Sequence, residues 1–331
     1  MAVEYPSFKA AAVQSEPAYL DIDATLDKAC DFIAEAARNG ARLVAFPEAY
    51  LPGYPIFAFM GDTNYVQRHY HELYKNSVEV PSEAIRRLSL AARQNDVHLC
   101  MSCDEKDGGS LYLTQFWFSP TGDLMGKHRK LRPSGAERLI WGEGSGALMP
   151  VFQTEIGNLG GLQCWEHYVP LDLGAMNGQN EQVHVASWPG SDLFPHDVEI
   201  GSRYYAMSTQ TYVLMTSNVY GPVTAAKVCE TPEQEKFYHE LSRCQTAIYG
   251  PDGVAISEVI PVGEEGIAYG DIDLSKIIDQ KYYMDPAGHY SNRDLTMTLD
   301  RRRQPTVGII GNEQDNSISF DVLNPLVNVE A

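Results

Sequence analysis

The chain has 331 residues, 44% of them apolar and 10% aromatic, so it can build a sizeable core and is not a disordered sequence. Its formal net charge of −19, from 44 acidic against 25 basic residues, repels phosphate backbones and anionic lipid and argues against nucleic acid or membrane partners. No apolar run approaches the roughly 18–20 residues that span a bilayer. Met1-Ala2-Val3-Glu4-Tyr5-Pro6 has neither a basic start nor an apolar stretch, so no signal peptide is expected there. Six cysteines (Cys30, Cys100, Cys103, Cys164, Cys229, Cys244) do not make a disulfide framework in a chain this long; free thiols in a reducing cytoplasm are the expectation.

Residues 9–14 read as a short buried strand. Asp23 is placed to cap a helix on which Leu26, Ala29, Cys30, Ile33, Ala36 and Ala37 recur at helical spacing, and Asn39-Gly40 supplies its stop. A strand over 42–46 follows and leaves Glu48 just past its carboxyl end, where α/β sheets hold their ligands. A second helix is predicted over 82–95, then strands over 97–103 and 111–118. After the turn Ser119-Pro120-Thr121-Gly122-Asp123, a strand-like run ends at Lys130. Runs 151–155 and 159–163 flank Ile156-Gly157-Asn158 as a hairpin, and its second arm ends at Cys164. Strands over 182–188 and 212–217 enclose a helix over 198–209; residues 247–249 lead into a turn, and 266–272 close the series. Hairpins and helical crossovers together predict a mixed sheet, or a two-sheet core with outer helices, in one domain. Residues 305–331 are expected to form a flexible tail or an arm docking on another subunit.

Glu48, Lys130 and Cys164 thus each end a strand, and a carboxylate, an ammonium and a thiol are the parts needed for thiol attack on carbon. A cysteine after an apolar strand is by itself more often an inert core residue. The functional reading needs Lys130 to favour the thiolate and Glu48 to take its proton, with burial raising the Glu48 pKa toward neutrality. Lys130 lies in the cluster Lys127-His128-Arg129-Lys130-Leu131-Arg132, which reads either as a solvated charge run or as a cluster from which one cation turns inward to bind a developing negative charge. Glu137 and Arg138 precede Leu139-Ile140-Trp141-Gly142-Glu143-Gly144-Ser145-Gly146, whose alternating glycines suggest a tight loop near a ligand and do not match a dinucleotide fingerprint. Cys100-Met101-Ser102-Cys103 is a lone pair of thiols on opposite strand faces, without zinc partners. Neither metal nor cofactor is expected.

Phe46-Pro47-Glu48-Ala49, His128-Arg129-Lys130-Leu131 and Leu162-Gln163-Cys164-Trp165-Glu166-His167 resemble, in order and spacing, the three catalytic motifs of the nitrilase family within the carbon-nitrogen hydrolase superfamily. The likeness covers nearly the whole chain. Glu137 falls where the family carries a second glutamate, and Asn180-Glu181-Gln182-Val183-His184-Val185-Ala186-Ser187-Trp188-Pro189 and Asp285-Pro286-Ala287-Gly288-His289-Tyr290-Ser291 are similar to segments of true nitrilases. The resemblance implies an αββα four-layer sandwich over residues 1–304, with Cys164 as nucleophile, Glu48 as general base, Lys130 stabilising charge and Glu137 orienting the others. It implies hydrolysis of a nitrile to a carboxylic acid and ammonia through a thioimidate and a thioester, without cofactor, and dimers that extend into spiral homo-oligomers. By the same mapping, Tyr54, Trp141, Trp165, Tyr168 and Trp188 are candidate substrate-binding residues; the plainer reading of each is core packing. Tyr70-His71-Glu72-Leu73-Tyr74-Lys75-Asn76, Glu105-Lys106-Asp107-Gly108-Gly109-Ser110-Leu111-Tyr112 and Lys281-Tyr282-Tyr283 are similar to bacterial cyanide-degrading nitrilases, the cyanide dihydratases. Ile56 stands where that branch carries tryptophan, and the loop 190–199 is longer. An arylaceto- or aliphatic nitrile is therefore the alternative substrate, and an amidase of the same superfamily the alternative activity.

Overall fold

The structure, a computed structural model, describes residues 4–191, 194, 196–241, 243–292, 294–302 and 317–325. In chain order the elements are β1 (Ser7–Ser15), α1 (Ile22–Arg38), β2 (Ala41–Ala45), α2 (Thr63–Asn76), α3 (Glu83–Gln94), β3 (His98–Asp107), β4 (Ser110–Phe118) and β5 (Leu124–Arg129). Then come β6 (Phe152–Thr154), β7 (Gly157–Gln163), α4 (Pro170–Asn177), β8 (Val183–Trp188), α5 (Asp197–Thr209), β9 (Tyr212–Asn218), α6 (Pro222–Val228) and α7 (Pro232–Glu240). β10 (Ala247–Tyr249), β11 (Gly266–Asp273), α8 (Ser275–Tyr283) and α9 (Phe320–Leu323) complete the described chain.

The strands run β5-β4-β3-β2-β1-β9-β8-β7-β6, with β11 beside β1 and β10 beside β9. β1 and β9 share only the pairs Gln14–Ser217 and Ser15–Asn218, so the ladder is nearly cut there into two sheets. Side-chain alternation shows how the halves fold together. Ala10, Ala12, Leu43, Ala45, Cys100 and Trp117 from the first sheet form one apolar cluster with Leu159, Val183, Val185, Tyr212 and Leu214 from the second. Their strand neighbours point outward: Ala11, Val13, Val44 and Leu99 pack against Leu26, Ile33, Ile85 and Leu88 of α1 and α3. Leu162, Ala186, Val213 and Met215 pack against Leu173, Val198, Tyr205 and Ala206 of α4 and α5. The layers are helices, sheet, sheet, helices: the αββα sandwich expected from the sequence.

Several local expectations are corrected. The cap of α1 is Asp21, which accepts from Ala24 N at 3.1 Å; Asp23 lies inside the first turn. Helices α2, α4, α6, α7 and α8 were not anticipated. α2 buries only Tyr65, His69 and Leu73, a sparse stripe in an otherwise polar run, while α4, α6 and α7 are short and begin at a proline. Of the tail, residues 317–325 pack on the chain itself. Ile318 bridges Leu124, Phe320 lies under the Arg93 guanidinium, and Asn324 donates to Ser89 Oγ at 2.8 Å. The remaining tail positions and part of the 190–199 loop lie outside the described residues.

Candidate active site

Glu48, Lys130 and Cys164 follow β2, β5 and β7, and the polar contacts between the two sheets concentrate at these strand ends. Phe46 C=O accepts from Ser187 Oγ (3.1 Å) and Thr216 Oγ1 (3.0 Å), Glu48 N donates to Trp188 O (3.2 Å), and Asn218 Nδ2 donates to Glu48 O (2.7 Å). The backbone carrying Glu48 is thereby fixed to the opposite sheet. Lys130 N donates to Leu113 O at 2.9 Å, and Gly144 N donates to Lys130 O at 2.9 Å. A Cβ on Gly144 would stand 2.3 Å from Arg129 O, so the glycine loop is tight because it lies against the backbone that carries Lys130.

Glu48, Lys130, Glu137 and Cys164 are all buried. The Lys130 ammonium donates to Glu48 Oε1 at 2.8 Å and to Glu137 Oε2 at 2.9 Å. Glu137 is held in turn by Tyr54 OH (2.7 Å to Oε1) and by Ser134 N (2.7 Å to Oε2). One ligating atom each from Glu48, Glu137 and Cys164 lie within 4.8 Å of one another, near enough in principle to hold a metal ion. The cation between the carboxylates is Lys130 itself. Glu48 Oε2 is buried and has no hydrogen-bond partner among the described residues, which leaves a carboxylate oxygen free to exchange a proton. Cys164 sits in the left-handed region at φ +54°, a sterically costly conformation for a residue with a Cβ.

Burial and charge set the protonation states. Burial pushes the Glu48 carboxyl up to about 8, a rise that Lys130 opposes and Glu137 reinforces. Burial also pushes the Cys164 thiol well up, with Glu48 adding to the rise and with Lys130 and the Trp165 backbone N–H working against it. Burial disfavours the Lys130 charge, but the fields of Cys164, Glu137 and Glu48 outweigh it and hold the ammonium well above the usual lysine range. The resting sulfur is therefore a thiol beside a buried base and a permanent cation. Such a group can make a thiolate as it attacks and offer an N–H to the charge that develops.

A second layer aligns these parts. Glu166 accepts from Leu131 N (2.7 Å), Gln163 N (2.8 Å) and His128 Nε2 (2.8 Å). One carboxylate thus ties the residue after Lys130 to the residue before Cys164. The basic cluster differs from expectation: His128, Arg129 and Lys130 are all buried, each against its own carboxylates, and Arg132 is exposed. Glu166 and His128 were not singled out in the sequence, although Gln163-x-x-Glu166 and Ser134-x-x-Glu137 share the spacing by which a third-position glutamate bonds back to a cap.

The five aromatics divide. Trp141 is buried, donates its indole N–H to Asp104 (2.5 Å) and lies 5.8 Å from both Lys130 Nζ and the Tyr54 ring. Trp188 is buried, donates to Ser202 Oγ at 3.0 Å and stacks on His167. Trp165 is half-buried and packs against Tyr168 (4.9 Å) and Phe194 (6.0 Å), both exposed. Cys100 and Cys103 face separate cores, and burial holds both thiols well up.

The carbon-nitrogen hydrolase family model matches residues 9–282. A nitrilase of Bacillus sp. (strain OxB-1) is 48% identical over 96% of this chain and 95% of its own length. An aliphatic nitrilase of Rhodococcus rhodochrous is 42% identical over 91% of this chain and 82% of its own. Among solved structures, the NitFhit protein of C. elegans superposes with a TM-score of 0.71 at 16% identity, covering 96% of this chain and 73% of that one, a likeness of fold. The chain belongs to the carbon-nitrogen hydrolase family and is an enzyme of its nitrilase type.

Proposed function

We propose that the protein hydrolyses an organic nitrile, R–C≡N + 2 H2O → R–COOH + NH3, with Cys164 as nucleophile, Glu48 as general base and acid, Lys130 as charge stabiliser and Glu137 as the residue that positions Lys130. The observation that carries this reading is the bridged Glu48–Lys130–Glu137 group beside Cys164, with one Glu48 oxygen left unpaired. Glu48 takes the thiol proton as sulfur adds to the nitrile carbon, and the nitrogen is protonated to give a thioimidate. Water deprotonated by Glu48 adds next; loss of ammonia leaves a thioester, and a second water releases the acid and the free thiol. Lys130 and the Trp165 N–H face the charge built in each addition. Loss of thiolate in place of ammonia gives the amide from the same intermediate.

The named aliphatic relative and the half-buried Trp165 with Tyr168 and Phe194 favour a substrate carrying an apolar group. Cyanide, the smallest nitrile, has nothing to place against such a surface. We infer a reducing, cytoplasmic setting from the need for a free Cys164 thiol, and self-association through exposed Ile200, Tyr204 and Met207, which recur along one face of α5. Ammonia release from purified protein with phenylacetonitrile, an aliphatic dinitrile, cyanide and the matching amides tests the assignment. Turnover of the organic nitriles to acids is expected. Turnover of cyanide alone would move the substrate to cyanide, and turnover of amides alone would make the protein an amidase.

A further inference from the structure

Behind the nucleophile runs a file of buried polar groups that the hydrolytic steps do not use. Cys164 C=O faces His167 Nδ1 at 2.7 Å, and His167 Nε2 faces His184 Nε2 at 3.0 Å. His184 Nδ1 faces Glu181 Oε1 at 2.8 Å, and Tyr205 OH donates to Glu181 Oε2. His167, His184, Glu181 and Tyr205 are all sealed from solvent. His167 is stacked on Trp188 and His184 on Tyr205, so neither ring is free to turn.

Hydrogen-bond logic assigns the protons from the carbonyl outward. A carbonyl only accepts, so His167 Nδ1 carries a hydrogen. Burial and the neighbouring His184 hold His167 far below its usual range, at about 3, so the ring is neutral and its Nε2 is bare. His184 must then supply the hydrogen in the 3.0 Å nitrogen–nitrogen contact from its own Nε2. Burial holds His184 low as well, aided by His128, so its Nδ1 is bare. Only a protonated Glu181 can fill that contact, and its other oxygen accepts from Tyr205. Burial does push Glu181 up, to about 8. Among the described residues, the charged groups that act on the file are the His128–Glu166 pair and Asp172 of α4.

We propose that Glu181, His184 and His167 are positioning residues that form one proton-ordered file, pinning the Cys164 carbonyl and holding the nucleophile in its left-handed conformation while Glu181 carries a proton. Loss of that proton sets the Glu181 carboxylate against the bare His184 Nδ1 at 2.8 Å, and moving the His184 hydrogen from Nε2 to Nδ1 to meet it leaves two bare ring nitrogens face to face at 3.0 Å. Either outcome loosens the hold on Cys164. Gly160 of β7 belongs to the same arrangement: a Cβ there would stand 2.2 Å from Glu181 Oε1, so the acid is seated against bare backbone.

The catalytic part of this inference rests on Cys164 being the nucleophile; the proton order does not, and it is read without substrate. In wild-type protein labelled with 15N-histidine, near neutral pH, NMR is expected to show His184 carrying its hydrogen on Nε2 and His167 on Nδ1. A His184 hydrogen on Nδ1 overturns the proposal whatever the activity proves to be. Glu181→Gln keeps the pattern, since its amide N–H donates to His184 and its carbonyl accepts from Tyr205, but it cannot ionise. It is expected to retain most of kcat at pH 7 and to lack the decline in kcat expected of the wild type as pH rises through about 8. Glu181→Ala is expected to lose at least about tenfold in kcat with KM little changed, and glutamine to rescue it. An alkaline limb in Glu181→Gln identical to the wild type's, or equal losses in the Gln and Ala variants, also overturns it.

Discussion

Lys130 is the charge on which the site balances. It is buried between two carboxyl groups, where desolvation works against every charge and only close contacts compensate. Lys130→Met would leave two uncompensated carboxyl groups and is expected to cost about 3–5 kcal/mol of stability as well as turnover; denaturant unfolding measures it, and a loss within about 0.5 kcal/mol would show the pair to be idle. Glu48 gives the pH dependence its sign. Its carboxyl is raised to about 8, so it is protonated below that value and a base above it. On the proposed roles kcat/KM climbs as pH approaches 8 and drops about tenfold per unit on the acid side. An acid limb near the ordinary glutamate value of about 4.3 would show that Glu48 is not raised in the working enzyme. Strand-end position made Glu48 and Cys164 legible in the sequence, because an apolar run broken by one reactive residue carries that information, whereas Lys130 ends a mixed strand-like run inside a basic cluster. Tyr54 was legible only as an aromatic; its hydrogen bond to Glu137 depends on a fold-level meeting that no spacing announces.

At the scale of elements, the alignment of β5 with β7 depends on Glu166, which bonds the residue beyond Lys130 and the residue before Cys164. Glu166→Ala breaks the buried pair with His128 and leaves two backbone N–H groups unpaired, so a loss of about 3–5 kcal/mol is expected, with a fall in kcat larger than any rise in KM. A thermal unfolding midpoint unchanged from the wild type would contradict that role. Glu181 adds a pH-dependent component to stability. Its folded-state pKa lies above the unfolded value, so its contribution is complete below the unfolded pKa and is lost as pH rises through about 8. The wild-type Tm should therefore fall more steeply than that of Glu181→Gln between roughly pH 5 and 8 and run parallel to it above that; curves parallel throughout would argue against a protonated Glu181. Neither Glu181 nor the histidines of its file were singled out as functional. His167 lies in the short 3-10 turn that follows β7 and His184 on β8, and the contact that gives them meaning is long-range. α2 escaped for the opposite reason: its buried face is carried by tyrosine, histidine and leucine, too few apolar residues to mark a helical period.

Across the whole molecule, two sheets that share two residue pairs are locked by an apolar interlayer and by polar clasps at the end where the site lies. Hairpins together with helical crossovers gave the mixed sheet or two-sheet core, and the sandwich followed from the family resemblance. How its layers meet at Glu48 did not, because the clasping groups are backbone carbonyls. If α5 contributes a self-association face as proposed, Tyr204→Glu with Met207→Glu should shift sedimentation toward smaller species while leaving the far-ultraviolet dichroism intact; an unchanged profile would place the interface elsewhere. The central claim is that Cys164 sulfur adds to the nitrile carbon inside the Glu48–Lys130–Glu137 group. Rapid acid quench of enzyme turning over an organic nitrile, followed by peptide mass spectrometry, tests it most directly. An acyl or imidoyl adduct on the Cys164 peptide of the wild type, with no adduct and no ammonia release from Cys164→Ala, is the predicted result. Continued ammonia release from Cys164→Ala, or an adduct on another residue, would contradict it.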